Sequence, residues 1–414
     1  MWSVLAGVLS AAAVVGFRWL IQLVEWLATG QTGSLVEAAR SLPPWHRALI
    51  VAAGGLLAGL VLHVGQRWAA RGPAGSKHID YIDAARSGSS VLNDRTTWVR
   101  SVSALISVGS GASIGREGPM VQVAAWFSAR LAAVSPLPAE QRNALLVCGI
   151  AAGIGATYHA PLAGIVFVLE LALGFFAGHA AAPILISTAT SSALIYWLVE
   201  PTPLYVMPTV TLEPNSVGIA VFLGIVCGFL GWGMLVLLNR SRRVFARIPS
   251  LPLRLGLGGI LVGILSAAIP EVWGNGFEVV SQVLQGDIGW GWVALIFVAK
   301  IAATALSNGS GAIGGVFTPT LFVGATGGYV IAHLTELFLP AGIAGDPRVM
   351  AIVGMAAVLS AVTHAPLMAI VMVLEMTSQF HLVVPVMLAS GMAYAVSTQF
   401  GVMPIYGNPI EGHQ

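Results

Sequence analysis

Glu117 stands near the end of a glycine-rich segment, 109–118, which reads Gly-Ser-Gly-Ala-Ser-Ile-Gly-Arg-Glu-Gly. Helices that start from such a segment point free backbone N–H groups and the positive end of the helix dipole at the same place, which suits an anion. A carboxylate beside the anion competes with it when ionised and withdraws when protonated. The segment therefore predicts an anion site at which Glu117 acts as the gate.

The context of this segment argues against two other interpretations. A nucleotide-binding loop needs a preceding strand and a Lys-Ser/Thr pair, and the segment has neither. A salt bridge to Arg116 would make Glu117 structural, but carboxylates within a membrane are more often functional. Arg116 itself either raises the local potential for anions or anchors the structure.

Residues that carry out chemistry in other proteins lack suitable partners in this sequence. Cys148 and Cys227 lie inside apolar runs and are interpreted as small core residues, so no metal site is predicted. His159 and His364 precede Ala-Pro-Leu and are predicted to start helices. Neither has a nucleophile at a matching place, which makes an intramembrane hydrolase a remote alternative. We expect neither an enzyme nor a cofactor.

The composition places these residues in a membrane protein. Of the 414 residues, 57% are hydrophobic and only 9% are charged, whereas about 25% of an average soluble domain is charged. The 19 basic and 17 acidic residues nearly balance, which argues against a nucleic-acid partner. The 49 glycines predict helices that are short, closely packed or interrupted.

Apolar stretches recur along the chain without a large polar block, so residues 1–414 are predicted to form a single all-α polytopic membrane domain. The stretches are 4–27, 48–64, 144–173, 180–198, 217–238, 255–269, 290–306, 317–339 and 349–376. Basic residues cluster at 240–254. By the positive-inside rule this loop is cytoplasmic, and we expect it to contact lipid headgroups rather than a ligand.

The sequence contains an internal repeat. Segments 109–112 and 309–312 both read Gly-Ser-Gly-Ala, and segments 159–162 and 364–367 both read His-Ala-Pro-Leu. Two motifs in the same order indicate a duplication. The halves of such transporters typically run antiparallel, with broken helices that meet at the membrane midplane. We assign about 1–200 to the first repeat and about 215–414 to the second.

Three segments resemble the signature segments of the CLC chloride channels and chloride/proton exchangers, in that family's order. They are 115–119, 315–319 and 404–406, which read Gly-Arg-Glu-Gly-Pro, Gly-Val-Phe-Thr-Pro and Pro-Ile-Tyr. The resemblance implies a CLC-type inverted repeat of many tilted and broken helices. It also implies a homodimer with one pore per subunit in a bacterial inner membrane, with chloride and the lipid bilayer as the other partners.

Matched residue by residue, the resemblance makes Glu117 the external gate. It assigns the central chloride to the backbone N–H groups of Val316 and Phe317 and to the hydroxyl of Tyr406. Ser76 is in register with a further chloride-binding serine, although the motif around it is lost. The other motif residues are expected to line the pore: Gly115, Arg116, Gly118, Pro119, Gly315 and Pro319.

The chain departs from the exchangers at a position that concerns protons. Leu171 occupies the place of their inner proton-loading glutamate, and Glu170 is expected to have a structural role at the subunit interface. We therefore predict chloride transport that is passive or weakly coupled to protons. A chloride/proton antiporter, with water or Glu170 as the relay, is the alternative. Fluoride export is disfavoured because the gate motif ends in Pro119.

Overall fold

The computed structural model of the protein describes residues 1–71, 79–173, 180–199, 203–210, 216–338 and 345–407. Over these ranges the chain forms seventeen α-helices and no strand. They are α1 Trp2–Thr29, α2 Leu35–Ser41, α3 Pro44–Ala70, α4 Tyr81–Arg86, α5 Asp94–Gly109, α6 Glu117–Val134, α7 Ala139–Tyr158, α8 Pro161–Val168, α9 Ala181–Leu198, α10 Ser216–Phe245, α11 Leu251–Ala268, α12 Phe277–Gln285, α13 Trp290–Ser310, α14 Phe317–Phe338, α15 Pro347–Thr363, α16 Pro366–Thr377 and α17 Val383–Thr398. The predicted all-α fold is confirmed.

Eight helical segments in the described part of the chain are long and apolar enough to cross a membrane. They are α1, α3, α9, α10, α11, α13, α14 and the segment Phe380–Thr398, which contains α17. Large apolar side chains point outward, as at Trp197, which is 88% exposed. Polar side chains are buried between helices, where the hydroxyls of Ser187 and Ser191 donate to carbonyl groups of α7. An apolar surface around a partly polar interior is the arrangement that lipid requires.

Two of the predicted apolar stretches are broken at His-Ala-Pro. Helix α7 ends at His159 and α15 ends at His364, and both histidines adopt the left-handed conformation, with φ of 54° and 55°. The left-handed conformation closes a helix, and the proline two residues later fixes φ for the first turn of the next helix. The histidines therefore end helices rather than start them, which corrects the prediction.

The two helices that follow these breaks cap each other. Glu375, near the end of α16, accepts hydrogen bonds from the N–H groups of Leu162 and the next residue of α8, at 3.0 and 2.7 Å. Glu170, just after α8, accepts the equivalent pair from Leu367 and the next residue of α16, at 3.2 and 2.7 Å. Each carboxylate thus meets the positive end of the other helix, so α8 and α16 run antiparallel.

Small residues allow several helix pairs to approach closely. Gly324 of α14 faces Gly354 of α15 so tightly that a Cβ on either residue would overlap the carbonyl oxygen of the other. A Cβ on Gly59 of α3 would lie 2.7 Å from the Cα of Pro252 in α11. Lipid provides no hydrophobic force to drive helices together, so close backbone contact supplies the packing energy.

Candidate ion pathway

The two glycine-rich segments lie where helices are interrupted. Helix α5 ends at Gly109 and α6 begins at Glu117, while α13 ends at Ser310 and α14 begins at Phe317. The segments meet at Gly115 and Gly315, whose N–H and C=O groups exchange two hydrogen bonds of 2.7 Å. The N-termini of α6 and α14 consequently converge at one place inside the molecule. We refer to this place, residues 115–118 with 314–317, as the junction.

The junction presents backbone donors to an anion. The N–H groups of Val316 and Phe317 have no acceptor within the described ranges, although the two residues are only 5% and 4% exposed. Buried N–H groups without a partner are rare in proteins, and the start of α14 adds the positive end of a helix dipole. These are the donors that an anion such as chloride requires.

Glu117 occupies the first position of α6 and is 5% exposed. Its Oε1 accepts a hydrogen bond of 2.7 Å from Nδ2 of Asn275, while Oε2 has no partner among the described residues. Oε2 packs against Gly115, where a Cβ would overlap it. In the described part of the chain no ion pair joins Glu117 to Arg116. The salt-bridge interpretation of Glu117 therefore does not hold.

Asn275, which no motif marks, is held in place by Lys300. The Lys300 side chain is fully buried, and its Nζ donates to the carbonyl groups of residues 272–274 at 2.9, 3.1 and 2.8 Å. These residues directly precede Asn275, so the ammonium group fixes the turn that carries the donor to Glu117. A lysine inside an apolar stretch is itself an indication of function in a membrane protein. That indication could have led from the sequence to this network.

Aromatic side chains surround the predicted chloride donors. The ring of Phe317 packs against Tyr158 with centroids 5.0 Å apart, and the ring of Tyr406 meets the edge of Phe167 at 5.6 Å. The side chains of Tyr406 and Tyr81 also lie close together. Tyr406 therefore packs among aromatic side chains of the protein, close to the junction.

A cavity of about 410 Å³ opens at the junction and is called the vestibule below. Five of the predicted site residues line it: Gly118, Pro119, Gly315, Val316 and Tyr406. Five others pack nearby without lining it: Gly115, Arg116, Glu117, Phe317 and Pro319. The vestibule wall also includes Arg242 and Arg254 from the basic segment 240–254, which was expected to contact only headgroups. Ser76 lies outside the described residues, as does the neighbouring Lys77.

The position of the missing proton-loading glutamate is occupied by an apolar side chain next to a cation. The carbonyl oxygen of Leu171 accepts a hydrogen bond of 2.8 Å from Nε of Arg86. Glu170, the neighbouring carboxylate, is already engaged by the two N–H groups of α16. Within the described ranges, no group of three or more His, Cys, Asp and Glu side chains could hold a metal ion.

Comparison with known proteins matches the chain over nearly its whole length. The family model described as voltage gated chloride channel matches residues 54–398. The chain is 43% identical over 413 residues to a putative chloride channel protein ClcB-like of Ralstonia nicotianae, covering 98% of this chain and 95% of that protein. It is 37% identical over 398 residues to the voltage-gated ClC-type chloride channel ClcB of Escherichia coli O81, covering 95% and 94% of the two chains.

Solved structures share the fold at lower sequence identity. A slow cyanobacterial Cl⁻/H⁺ antiporter matches with a TM-score of 0.83 at 23% identity, over 98% of this chain and 95% of that one. A CLC-type fluoride/proton antiporter matches with a TM-score of 0.79 at 22% identity, over 96% and 95% of the two chains. A eukaryotic CLC transporter matches with a TM-score of 0.77 at 20% identity, over 98% of this chain and 72% of that one.

Proposed function

The chain belongs to the CLC family of voltage-gated chloride channels, multi-pass proteins that here sit in a bacterial inner membrane, and we propose that it carries chloride along a pathway gated by Glu117. The observation that supports this proposal most is the convergence of α6 and α14. Their junction places the partnerless N–H groups of Val316 and Phe317 close to a buried carboxylate. The carboxylate and a chloride ion compete for the same positive potential.

In the proposed mechanism chloride enters the vestibule and takes hydrogen bonds from the N–H groups of Val316 and Phe317 and from the hydroxyl of Tyr406. The ionised carboxylate of Glu117, held by Asn275, blocks the outer side as a competing anion. Protonation removes the charge of Glu117 and with it the attraction to the helix N-termini. The side chain then leaves the pathway and chloride passes.

The first prediction tests the gate. In Glu117→Gln the amide mimics the protonated carboxyl group, so chloride flux should lose its dependence on external pH. Flux is measured in liposomes at several external pH values, with Glu278→Gln as a control that changes a carboxylate outside the junction. If Glu117→Gln kept the wild-type pH profile, another group would be the gate.

We further propose that chloride moves passively or with weak proton coupling. A proton relay from the inner side needs a titratable side chain or a water chain, because an unassisted charge in the protein interior costs several kcal/mol. Leu171 cannot bind a proton, Glu170 is engaged in capping α16, and the guanidinium of Arg86 on the carbonyl group of Leu171 repels protons. These three features support passive flow.

The alternative is a chloride/proton antiporter. The unpartnered Oε2 of the buried Glu117 carboxylate favours it, because this oxygen is not engaged by any hydrogen-bond donor among the described residues. Two solved proteins of the same fold, at 22–23% identity, are described as proton-coupled antiporters. Fluoride remains disfavoured as the substrate because Pro119 ends the gate motif.

The second prediction separates these modes by reversal potential. Under opposed chloride and pH gradients in liposomes, passive transport reverses at the chloride equilibrium potential and drives no uphill proton movement. An antiporter would reverse at a value set by both gradients. Sustained proton pumping that disappears in Glu117→Gln would contradict the passive proposal, and its loss in Glu170→Gln would identify the relay.

We also infer that the protein works as a homodimer without a cofactor other than the transported ion. The paired helices α8 and α16 leave Leu162 and Leu367 53% and 47% exposed, at matching positions of the two motifs. An apolar surface of this kind fits a second copy of the chain. The mass of the protein in nanodiscs, measured by mass photometry, checks the inference.

A further inference from the structure

The vestibule carries more positive charge than a path for single chloride ions needs. Three guanidinium groups line it, from Arg100, Arg242 and Arg254, and Asp80 is the one carboxylate among its described lining residues. No ion pair within 4.0 Å neutralises any of the three arginines in the described part of the chain. With Asp80 ionised, the vestibule holds a net charge of two positive units.

Two of these arginines flank one turn at the end of α13. Nε of Arg242 donates a hydrogen bond of 2.8 Å to Oδ1 of Asn308. The guanidinium of Arg254 packs against Gly311, where a Cβ would lie 3.4 Å from Nη2 of the arginine. The buried Nε of Arg254 has no partner among the described residues. The guanidinium groups therefore keep most of their donors, in the planar arrangement that matches an oxyanion.

The size and charge of the vestibule favour a ligand larger than chloride. Its volume of about 410 Å³ would hold roughly a dozen waters. The carbonyl end of α13 offsets only about half a charge, so more than one positive unit remains. A second cavity of about 700 Å³ adjoins the vestibule, shares Arg242 with it and adds Arg240 and Arg243. A single chloride ion carries one negative charge and leaves part of this positive charge unbalanced.

We propose that the vestibule is a cytoplasmic binding site for a phosphate-bearing anion, which Arg242 and Arg254 hold and which excludes chloride from the junction. The cytoplasmic assignment follows from the basic segment 240–254. Two guanidinium groups bind a divalent oxyanion more strongly than a monovalent ion because each contributes charge-assisted hydrogen bonds. Only the inhibition of flux rests on the proposed function, since binding is measured without transport.

Binding is tested by calorimetric titration of pyrophosphate into the purified full chain in chloride-free buffer. Arg254→Gln and Arg242→Gln should each weaken binding at least tenfold. Asp80→Asn removes the opposing charge and keeps a side chain that can cap α4, so it should strengthen binding. Arg247→Gln is the matched control, because Arg247 belongs to the same basic segment, is exposed and lines neither cavity.

Equal weakening in Arg254→Gln and Arg247→Gln would overturn the site and leave only non-specific attraction. Flux provides the second readout: pyrophosphate on the side of Arg254 should inhibit wild-type chloride flux and leave Arg254→Gln uninhibited. Pyrophosphate that binds at the arginines without slowing flux would overturn the exclusion of chloride, while a chain that carries no chloride at all would instead contradict the proposed function. Nanodiscs of phosphatidylglycerol or phosphatidylcholine distinguish a free anion from a lipid headgroup as the source of the phosphate group. If the site binds an anionic headgroup, pyrophosphate binding should be weaker in phosphatidylglycerol nanodiscs only.

Discussion

At the scale of single residues, Glu117 shows how much of a site a sequence motif can predict. Its glycine-rich neighbours predicted a buried carboxylate at a helix start, and Glu117 lies there. The motif could not predict Asn275, which is 158 residues away and reaches Oε1 only through the folded chain. The sequence alone allows a salt bridge between Glu117 and Arg116, because the two residues are neighbours with opposite charges. In the structure Oε1 of Glu117 instead accepts a hydrogen bond from Asn275, and no ion pair with Arg116 is present among the described residues.

The third prediction concerns this donor. Asn275→Ala removes the hydrogen bond that stabilises the ionised form of Glu117, and hydrogen bonds to charged groups contribute about 1.5–3 kcal/mol. Protonation of Glu117 becomes easier, so the external pH of half-maximal chloride flux should rise by about 1–2 units. Gln285→Ala, which removes an exposed amide at the end of α12, should leave the midpoint unchanged. In the Glu117→Gln background Asn275→Ala should have no effect on the pH profile, and a persisting shift would contradict the contact.

At the scale of helices, composition and glycine content predicted the class of structure but not its contacts. The breaks in the stretches 144–173 and 349–376 were hidden, because the apolar character continues through His-Ala-Pro. The left-handed histidines that make the breaks are ordinary residues in an unusual conformation, and the sequence does not mark conformation. Likewise, 49 glycines indicate close packing without telling which glycine meets which helix.

The fourth prediction tests one such close contact, between Gly324 of α14 and Gly354 of α15. Alanine favours an isolated helix over glycine by about 1 kcal/mol, yet Gly324→Ala should lower the free energy of unfolding by about 1–3 kcal/mol because its Cβ overlaps the backbone of Gly354. Gly391→Ala in α17 is the control, since nothing lies within 4 Å of its Cβ. Denaturation in mixed micelles provides the measurement. A Gly324→Ala variant as stable as Gly391→Ala would show that α14 and α15 separate easily.

At the scale of the whole molecule, the two motif pairs of the sequence meet in space. The glycine segments bond to each other at Gly115 and Gly315, and the His-Ala-Pro helices are capped by Glu170 and Glu375. Such mutual contacts support the proposal that the chain consists of two related halves. The sequence offsets of the repeated motifs, 200 residues (109 to 309) and 205 residues (159 to 364), indicated the pairs, but not that each carboxylate caps a helix in the other half of the chain.

The fifth prediction tests the mutual capping of α8 by Glu375 and of α16 by Glu170. Glu170→Ala leaves the first N–H groups of α16 without their cap, so the free energy of unfolding should fall by about 1–2 kcal/mol. Glu375→Ala should cost a similar amount, because its two contacts match those of Glu170 within 0.2 Å. The pH profile of chloride flux should stay that of the wild type in both. A Glu170→Ala variant with normal stability and altered proton movement would instead make Glu170 the relay.

The mutual capping of α8 and α16 also determines the order in which the parts of the protein can enter the membrane during synthesis. Leu162 receives its cap from Glu375, 213 residues later in the chain. At a translation rate of about 5–20 residues per second, roughly 10–40 s pass between the appearance of the helix start and the arrival of its carboxylate. Bare N–H groups cannot face lipid tails during that interval without a cost of several kcal/mol. Until the ribosome has delivered α16, the start of α8 must therefore stay in water or against the insertion machinery, and integration of the first half finishes only with the second.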